Sequence, residues 1–199
     1  MKTKFLFATL AFAIALTALA PSASAAPGDS IHFRMVRSAG AASCLAYEAH
    51  GRVTISDVGP AQNMHVEVFD LPPNADFTTF VIQVPNKPFG LAWYQGDITT
   101  DKNGRGVGDF TGIFSVETFI VAPGVAPAPK IFPDNATSNP ATAPVELYHL
   151  GMWFADPKQA DAAGCGTTVT PFDGDHEAGI QVLNTSNFPD GHGPLLKLQ

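Results

Sequence analysis

Short runs in which apolar and polar residues alternate dominate the chain between residues 31 and 184. In the run 52–58, Val53 and Ile55 alternate with polar neighbours, and the run 64–70 repeats the pattern. A period of two turns one set of side chains toward a core and the other toward water, which is typical of half-buried strands. Runs of this kind predict about eight strands, at 31–36, 52–58, 64–70, 77–84, 89–99, 107–121, 145–154 and 180–184.

Turn-forming residues separate these runs. Pro72 and Pro73 are followed by Asn74 between two predicted strands, and Asn103-Gly104 predicts a hairpin that joins the runs 89–99 and 107–121. Many short strands with almost no helix predict an all-β fold. We expect an antiparallel β-sandwich, immunoglobulin-like or jelly-roll-like, of about eight strands.

Two segments depart from the strand pattern. Asp156, then Pro157 in the first turn and Gly164 after the last, predict one short helix over 156–164. Residues 122–144 contain six prolines and few large apolar side chains, so they cannot form a central strand. We interpret this proline-rich loop as a surface segment, serving either as a binding element or as a plain connector.

The first 25 residues have the composition of a secretory signal. Lys2 and Lys4 precede an apolar run at 5–20, and small residues follow at 23–25. Pro21 interrupts the run before it reaches the roughly 20 apolar residues that a membrane-spanning helix needs. The sequence therefore predicts a signal peptide at 1–25 and a single secreted domain at 26–199, with no membrane insertion after cleavage.

Composition narrows the choice of partners. The chain has 199 residues, of which 45% are hydrophobic and 10% aromatic, enough for one globular core and too apolar for a disordered chain. Its 11 basic against 18 acidic residues give a formal charge of -7. Cleavage after residue 25 removes only Lys2 and Lys4 among the charged residues, which leaves 9 basic residues and a charge of -9. With no run of basic residues, a nucleic-acid partner is not expected.

Cys44 and Cys165 are the two cysteines of the chain. An even pair in an exported protein usually forms a disulfide, which here would close a loop of about 120 residues. A reactive thiol pair is the alternative. It has less support, because the cysteines lack C-x-x-C spacing and have no Lys, Arg or His as immediate neighbours.

The densest polar cluster is the segment 173–177. Its three carboxylates and one imidazole are ligands that suit calcium or, through the histidine, zinc. They are Asp173, Asp175, His176 and Glu177. Neighbours in sequence cannot fill a coordination sphere alone, so His149, Asp97 or Glu146 would have to converge on them. The alternative is a solvated turn, and apart from this site no cofactor is expected.

Two glutamates support an enzyme hypothesis. Glu117 and Glu146 each lie in a predicted strand, and paired strand carboxylates catalyse sugar hydrolysis in sandwich glycosidases. The alternative is that both belong to the wet face of a sheet. The chain contains no G-x-S-x-G, G-x-x-x-x-G-K, G-x-G-x-x-G or H-E-x-x-H motif. We therefore favour a non-catalytic protein over a carbohydrate-active hydrolase.

Three aromatic residues are candidates for ligand binding. Trp93, Tyr94 and Trp153 would offer flat rings to a sugar or to an apolar peptide, with core packing as the alternative. Because Trp93 and Tyr94 are adjacent on a predicted strand, their side chains leave opposite faces. We expect Tyr94 to be the exposed one, since its hydroxyl can stay hydrated.

Four stretches of the chain resemble secreted bacterial proteins without an assigned function. The stretches are 70–86, 90–97, 148–154 and 182–189. The resemblance implies an exported bacterial β-domain and offers no catalytic residues to carry across. Together with the aromatic residues it leads us to expect a secreted, non-catalytic binding or surface-associated protein whose partner is an extracellular glycan or protein.

Overall fold

A computed structural model describes residues 30–114, 118–119, 145–171 and 177–198. The predicted signal peptide at 1–25 and the proline-rich loop at 122–144 lie outside these residues. So do Glu117 and three members of the predicted metal cluster, Asp173, Asp175 and His176.

Most of the alternating runs of the sequence form strands near the predicted places, but the predicted strands 107–121 and 145–154 are wrong in extent, because each contains two strands that belong to different sheets. In β2 and β3 the inward residues Val53, Ile55, Met64 and Val66 are at most 1% exposed, as their period of two predicts. The strands are β1 (Ile31–Arg37), β2 (His50–Val58), β3 (Ala61–Phe69), β4 (Asp76–Ile82), β5 (Ala92–Thr99), β6 (Gly106–Gly112), β7 (Thr118–Phe119), β8 (Val145–Glu146), β9 (His149–Phe154) and β10 (Gln181–Asn184).

Eight of these strands form one antiparallel sheet in the order β5-β4-β9-β10-β1-β2-β3-β6, and β7 pairs separately with β8. The all-β prediction is therefore confirmed. The ladder of hydrogen bonds runs through all eight strands, so the layers of a sandwich would have to come from this single sheet curving onto itself.

The two edge strands of the sheet pack against each other. A Cβ atom added to Gly108 in β6 would lie 2.7 Å from Cγ1 of Ile98 in β5, and one added to Gly106 would lie 2.6 Å from its Cγ2. Real Cβ atoms do not approach so closely, so the two glycines make room for Ile98. The sheet is consequently nearly closed, by side-chain packing at this seam.

The turn that connects β5 to β6 is formed, but the predicted hairpin is not. Asp101 N donates to Arg105 O at 2.7 Å, and Gly104 N donates to Asp101 O at 3.0 Å. The flanking strands, however, pair with β4 and β3 rather than with each other. The turn therefore links two opposite edges of the sheet.

The apolar interior divides into two clusters. The larger one joins side chains from both halves of the sheet, such as Met35 and Met64 with Phe77 and Met152. The smaller one lies on the other side of β4 and β9. Its members are Phe80, Ile82, Phe89, Trp153 and Ala178. Strands β4 and β9 are thus buried on both faces.

The predicted helix and disulfide are both present. Helix α1 spans Pro157–Ala162 and is capped by Asp156, whose side chain accepts from Lys158 N at 2.7 Å. A disulfide joins Cys44 to Cys165, 121 residues apart in sequence. It fastens the segment after β1 to the end of α1.

The seam between β5 and β6 yields a stability prediction. We expect Gly108→Ala to lower the free energy of unfolding by about 1 to 3 kcal/mol, because the new methyl group must displace Ile98. Gly191→Ala is the matched control, since nothing lies within 4 Å of a Cβ at that position. Urea titration of both variants measures the difference. Equal stability of the two variants would contradict close packing at the seam.

Candidate ligand-binding cleft and basic face

The three aromatic residues expected to bind a ligand do not form one exposed platform. Trp153 is fully buried, whereas Trp93 and Tyr94 are 52% and 48% exposed. Tyr94 lies opposite Phe80 and Trp93 opposite Val81 in the β4–β5 ladder, so their side chains leave opposite faces as expected. The expectation that Tyr94 alone reaches water is wrong, because β5 is an edge strand and leaves both rings half exposed.

Trp153 instead belongs to a row of edge-to-face rings. The ring centroids of Tyr94 and Phe80 are 5.7 Å apart, those of Phe80 and Trp153 5.6 Å, and those of Phe89 and Trp153 5.0 Å. Such pairs add to the stability that burial provides. The row runs under the surface from half-exposed Tyr94 to Phe89.

A cleft opens at the Phe89 end of this row. Residues 87–90 form one wall and residues 169–171 the other, around a volume of 530 Å³. A second space of 280 Å³ shares Lys87, Phe89 and Thr170 with the first, so the two lie side by side. The second space adds polar side chains from Ser38, Asn86, Thr168 and Gln181. We call the combined space the Phe89 cleft.

Buried amides fasten one wall of the Phe89 cleft to the sheet. Gln181 Nε2 and Asn184 Nδ2 in β10 both donate to Pro85 O, each at 3.1 Å. Asn184 Nδ2 also donates to Gln181 Oε1 at 2.9 Å, and Ser38 Oγ donates to the same oxygen at 3.2 Å. Since buried polar networks of this kind are costly to break, the wall is preorganised.

His149, one of the distant residues considered for a metal site, has a structural role. It is fully buried in β9, and its Nε2 donates to Asp190 O at 2.9 Å. Its Nδ1 then accepts from Thr185 Oγ1, also at 2.9 Å. These bonds fix the neutral tautomer and tie the segment after β10 to β9. Burial lowers the pKa of His149 below its usual 6.5.

The remaining metal and hydrolase candidates are not brought together among the described residues. Glu177 is exposed at the edge of a described segment, and Glu146 lies in β8. Within the described ranges, no group of three or more His, Cys, Asp or Glu side chains is placed to hold a metal ion. The metal site and the carboxylate pair stay predictions, because their other members lie outside those ranges.

A basic surface that the sequence reasoning did not find lies on the outer face of β1, β2, β3 and β6. Arg34 in β1 is the direct cross-strand neighbour of Arg52 in β2. The guanidinium carbons of Arg52 and Arg105 lie 4.9 Å and 5.3 Å from the centre of the Phe69 ring. These three, with Arg37, are all the arginines of the chain. We call this surface the basic face.

Arg37 lies at the end of β1, beside a hollow that continues the basic face. Its guanidinium carbon is 5.5 Å from the centre of the Tyr47 ring, and its Nη1 donates to Leu45 O at 2.7 Å. The hollow has a volume of 450 Å³ and is lined by Arg34, Val36, Arg37, Tyr47, Ala49 and His50.

No arginine forms an ion pair with a carboxylate in the described part of the chain. The salt-bridge contact found there is between Asp109 Oδ1 and His65 Nδ1, which is charged only when protonated, at 2.8 Å. Hydrogen bonds from His65 and Asn63 lower the pKa of Asp109. Glu67 lies opposite Arg52 in the ladder, yet the guanidinium of Arg52 packs over Phe69 instead. Glu67 and Asp101, which interacts electrostatically with Arg105, offset part of the positive charge of the basic face, but neither forms an ion pair with an arginine.

In comparisons with protein-family models, curated proteins and solved structures, no match to the chain was found. No helix in the described residues is long and apolar enough to span a membrane.

Buried His149 predicts a pH dependence of stability. Because its folded pKa lies below 6.5, the unfolded chain binds the proton more readily. The contribution of neutral, buried His149 to the free energy of unfolding is complete above a pH of about 6.5 and is lost as the pH falls toward the folded pKa. We expect the melting temperature to decrease across this window. The pKa values of Asp101 and Asp109 are lowered from 3.8, so these two carboxyl groups affect stability at a more acidic pH than His149 does.

His149→Gln separates this effect from that of the other histidines. Gln retains an N–H donor for Asp190 O, so we expect a less stable protein whose melting temperature changes less with pH between roughly 5 and 7. His192→Gln, at an exposed position, should keep the wild-type slope. A wild-type slope in His149→Gln would mean that other groups cause the pH dependence.

Proposed function

We propose that the protein is a non-catalytic binding protein that acts outside the cell and holds a carbohydrate in the Phe89 cleft. The observation that carries the proposal is the meeting of an apolar floor and a polar rim in one preorganised space. Phe89, Pro88 and Val169 supply the apolar surface. Asn86 and Thr168 supply an amide and a hydroxyl.

A sugar ring has matching chemistry. Its C–H face packs on apolar side chains, and its hydroxyl groups exchange hydrogen bonds with amides and hydroxyls. The larger space, 530 Å³, lies within the range of about 300 to 1,000 Å³ that is usual for small-ligand sites. One wall of the cleft is already held in place by hydrogen bonds to Pro85 O. This order reduces the conformational entropy that is lost when a ligand binds.

Export is part of the proposal. The Cys44–Cys165 disulfide suits an oxidising compartment, and the sequence of residues 1–25 has the pattern of a cleavable signal. The acidic composition suits a soluble secreted protein. The resemblance to secreted bacterial β-domain proteins points the same way, and we propose membership in that group on the stretches already named.

The finer architecture that we propose is a sandwich formed within the single sheet. The half β5-β4-β9-β10 would face the half β1-β2-β3-β6 across the larger apolar cluster. This arrangement is supported by the mixing of Phe77 and Met152 with Met35 and Met64 in that cluster, and by the approach of Ile98 to Gly108 at the seam. In this arrangement the Phe89 cleft lies outside the core, over β4 and β9.

Substitution of Val169 tests the proposed site. Val169 is 54% exposed and lines the cleft, so we expect Val169→Asp to weaken oligosaccharide binding by about tenfold or more, through loss of apolar contact and desolvation of the new charge. The measurement is calorimetric titration of the protein with neutral oligosaccharides of glucose, xylose and N-acetylglucosamine.

Val58→Asp is the matched control, because Val58 is 47% exposed and lies in β2, away from the residues of the cleft. It should bind as the wild type does. If none of the oligosaccharides binds the wild-type protein, the carbohydrate assignment is wrong. If both variants lose binding equally, the ligand is not held in the Phe89 cleft.

A further inference from the structure

The register of the sheet gathers arginines that are far apart in sequence. One cross-strand row contains Arg34, Arg52 and Glu67, and the next contains Val36, His50 and Phe69. Arg105 follows this second row, because Val68 pairs with Gly106. Neighbouring strands are about 4.8 Å apart, so Arg34 and Arg52 project side by side from the same face.

Two of the three guanidinium groups, those of Arg52 and Arg105, are positioned by an aromatic ring. Arg52 and Arg105 both lie over Phe69, and the His50 ring stacks on Phe69 with centroids 4.9 Å apart. His50 is held in turn, because its Nδ1 donates to Glu48 O at 2.7 Å. The arginine N–H groups therefore stay available to a ligand while the side chains lose little freedom on binding.

Like charges opposite each other destabilise a sheet. Arg34 and Arg52 are such a pair, and both are exposed. Glu67 is the cross-strand neighbour of Arg52, but no described carboxylate lies within ion-pair distance of either arginine, so the repulsion is only partly relieved in the free protein. An anion bound between the two side chains would remove the repulsion and accept hydrogen bonds from both guanidinium groups.

The extent of the basic face favours an extended ligand. Strands β1, β2, β3 and β6 are consecutive in the sheet, so three interstrand spacings of about 4.8 Å separate Arg34 from the β6 side, roughly 14 Å in all. One small anion cannot span this distance. A polymer with repeated anionic groups can contact Arg34, Arg52 and Arg105 together.

The neighbouring row favours a polymer that also carries hydroxyl groups. His32, Thr54 and His65 lie side by side across β1, β2 and β3, next to the arginine row. His32 Nδ1 is hydrogen-bonded to Thr54 Oγ1 at 3.0 Å and His65 Nδ1 to Asp109 Oδ1 at 2.8 Å, so Thr54 Oγ1 and His65 Nε2 are the atoms that keep capacity for hydrogen bonds with sugar hydroxyls. Glu67 and Asp109 on the same face would repel a chain as densely charged as nucleic acid.

We propose that the basic face docks an acidic polysaccharide, whose carboxylate or sulfate groups bind Arg34, Arg52 and Arg105 while its hydroxyl groups contact the adjoining polar row. The residues of this site do not overlap those of the Phe89 cleft. The proposal is therefore independent of the carbohydrate assigned to the cleft.

The test compares two acidic polysaccharides with a neutral one. Polygalacturonate and sparsely substituted carboxymethyl dextran are the acidic probes, and unsubstituted dextran is the neutral one, each titrated into the wild-type protein at several salt concentrations. We expect at least one acidic probe to bind, with affinity that falls as salt rises, and dextran to show no binding at this face. The double variant Arg34→Gln/Arg52→Gln should bind the acidic probe about tenfold or more weakly.

Lys158→Gln/Lys197→Gln is the matched control, because it removes the same charge at two exposed positions outside the basic face. It should keep wild-type binding within about twofold. The arginine variant should also unfold cooperatively, with a melting temperature close to that of the wild type at low salt, since relief of the repulsion between Arg34 and Arg52 offsets the lost contact of Arg52 with Phe69. That readout separates lost docking from lost structure.

Three results would overturn the proposal. One is the absence of binding to both acidic polysaccharides, and another is an equal loss in the arginine and lysine variants. The third is tighter binding of single-stranded DNA or of vesicles containing anionic phospholipid than of either acidic polysaccharide. A selective loss in the arginine variant, confined to the acidic probes, would establish the basic face as their binding site.

Discussion

The packing of Ile98 against Gly106 and Gly108 is the contact on which the arrangement of this sheet depends. A sheet with eight strands has two edges, and an unprotected edge exposes backbone groups that pair readily with other chains. Here side chains of β5 and β6 pack against each other, although the two strands are not hydrogen-bonded to one another. Gly96 contributes from the β5 side, where a Cβ would lie 2.6 Å from the Phe110 ring. Side chains at these glycines would force the two edges apart and open the core.

The near closure also explains where the two candidate sites lie. Strands β4 and β9 carry apolar side chains on both faces, so their outer face needs a second covering. The loop that contains Phe89 and the segment 168–171 provide it, and the Phe89 cleft is the gap between these two coverings. On β1, β2, β3 and β6, most of the residues that point away from the core are polar. That face is therefore exposed to water, and the arginines on it remain accessible. One sheet thus presents a cleft over one half and a charged surface on the other.

Local features were predictable from the sequence, whereas those set by strand order were not. Alternation in β2 and β3, the Asp156 cap and the pairing of Cys44 with Cys165 depend on a short pattern or on a simple count. The hairpin at Asn103-Gly104 was predicted wrongly, because the same turn can join two edges of a sheet. The sequence left Trp153 open between ligand binding and core packing, because burial of β9 on both faces is a tertiary property. Only the register of β1, β2 and β3 brings Arg34, Arg52 and Phe69 together.

The basic face also shows why net charge is a poor guide to local binding. A formal charge of -7 argues against an anionic partner only if the charges are mixed over the surface. Interactions between exposed charges are largely screened beyond about 8 Å at physiological salt. The affinity for an anion at Arg34 and Arg52 therefore depends on the groups in contact with that anion, and hardly on acidic residues elsewhere on the protein. Segregation of all four arginines onto one region can create an anion-binding surface within an acidic protein.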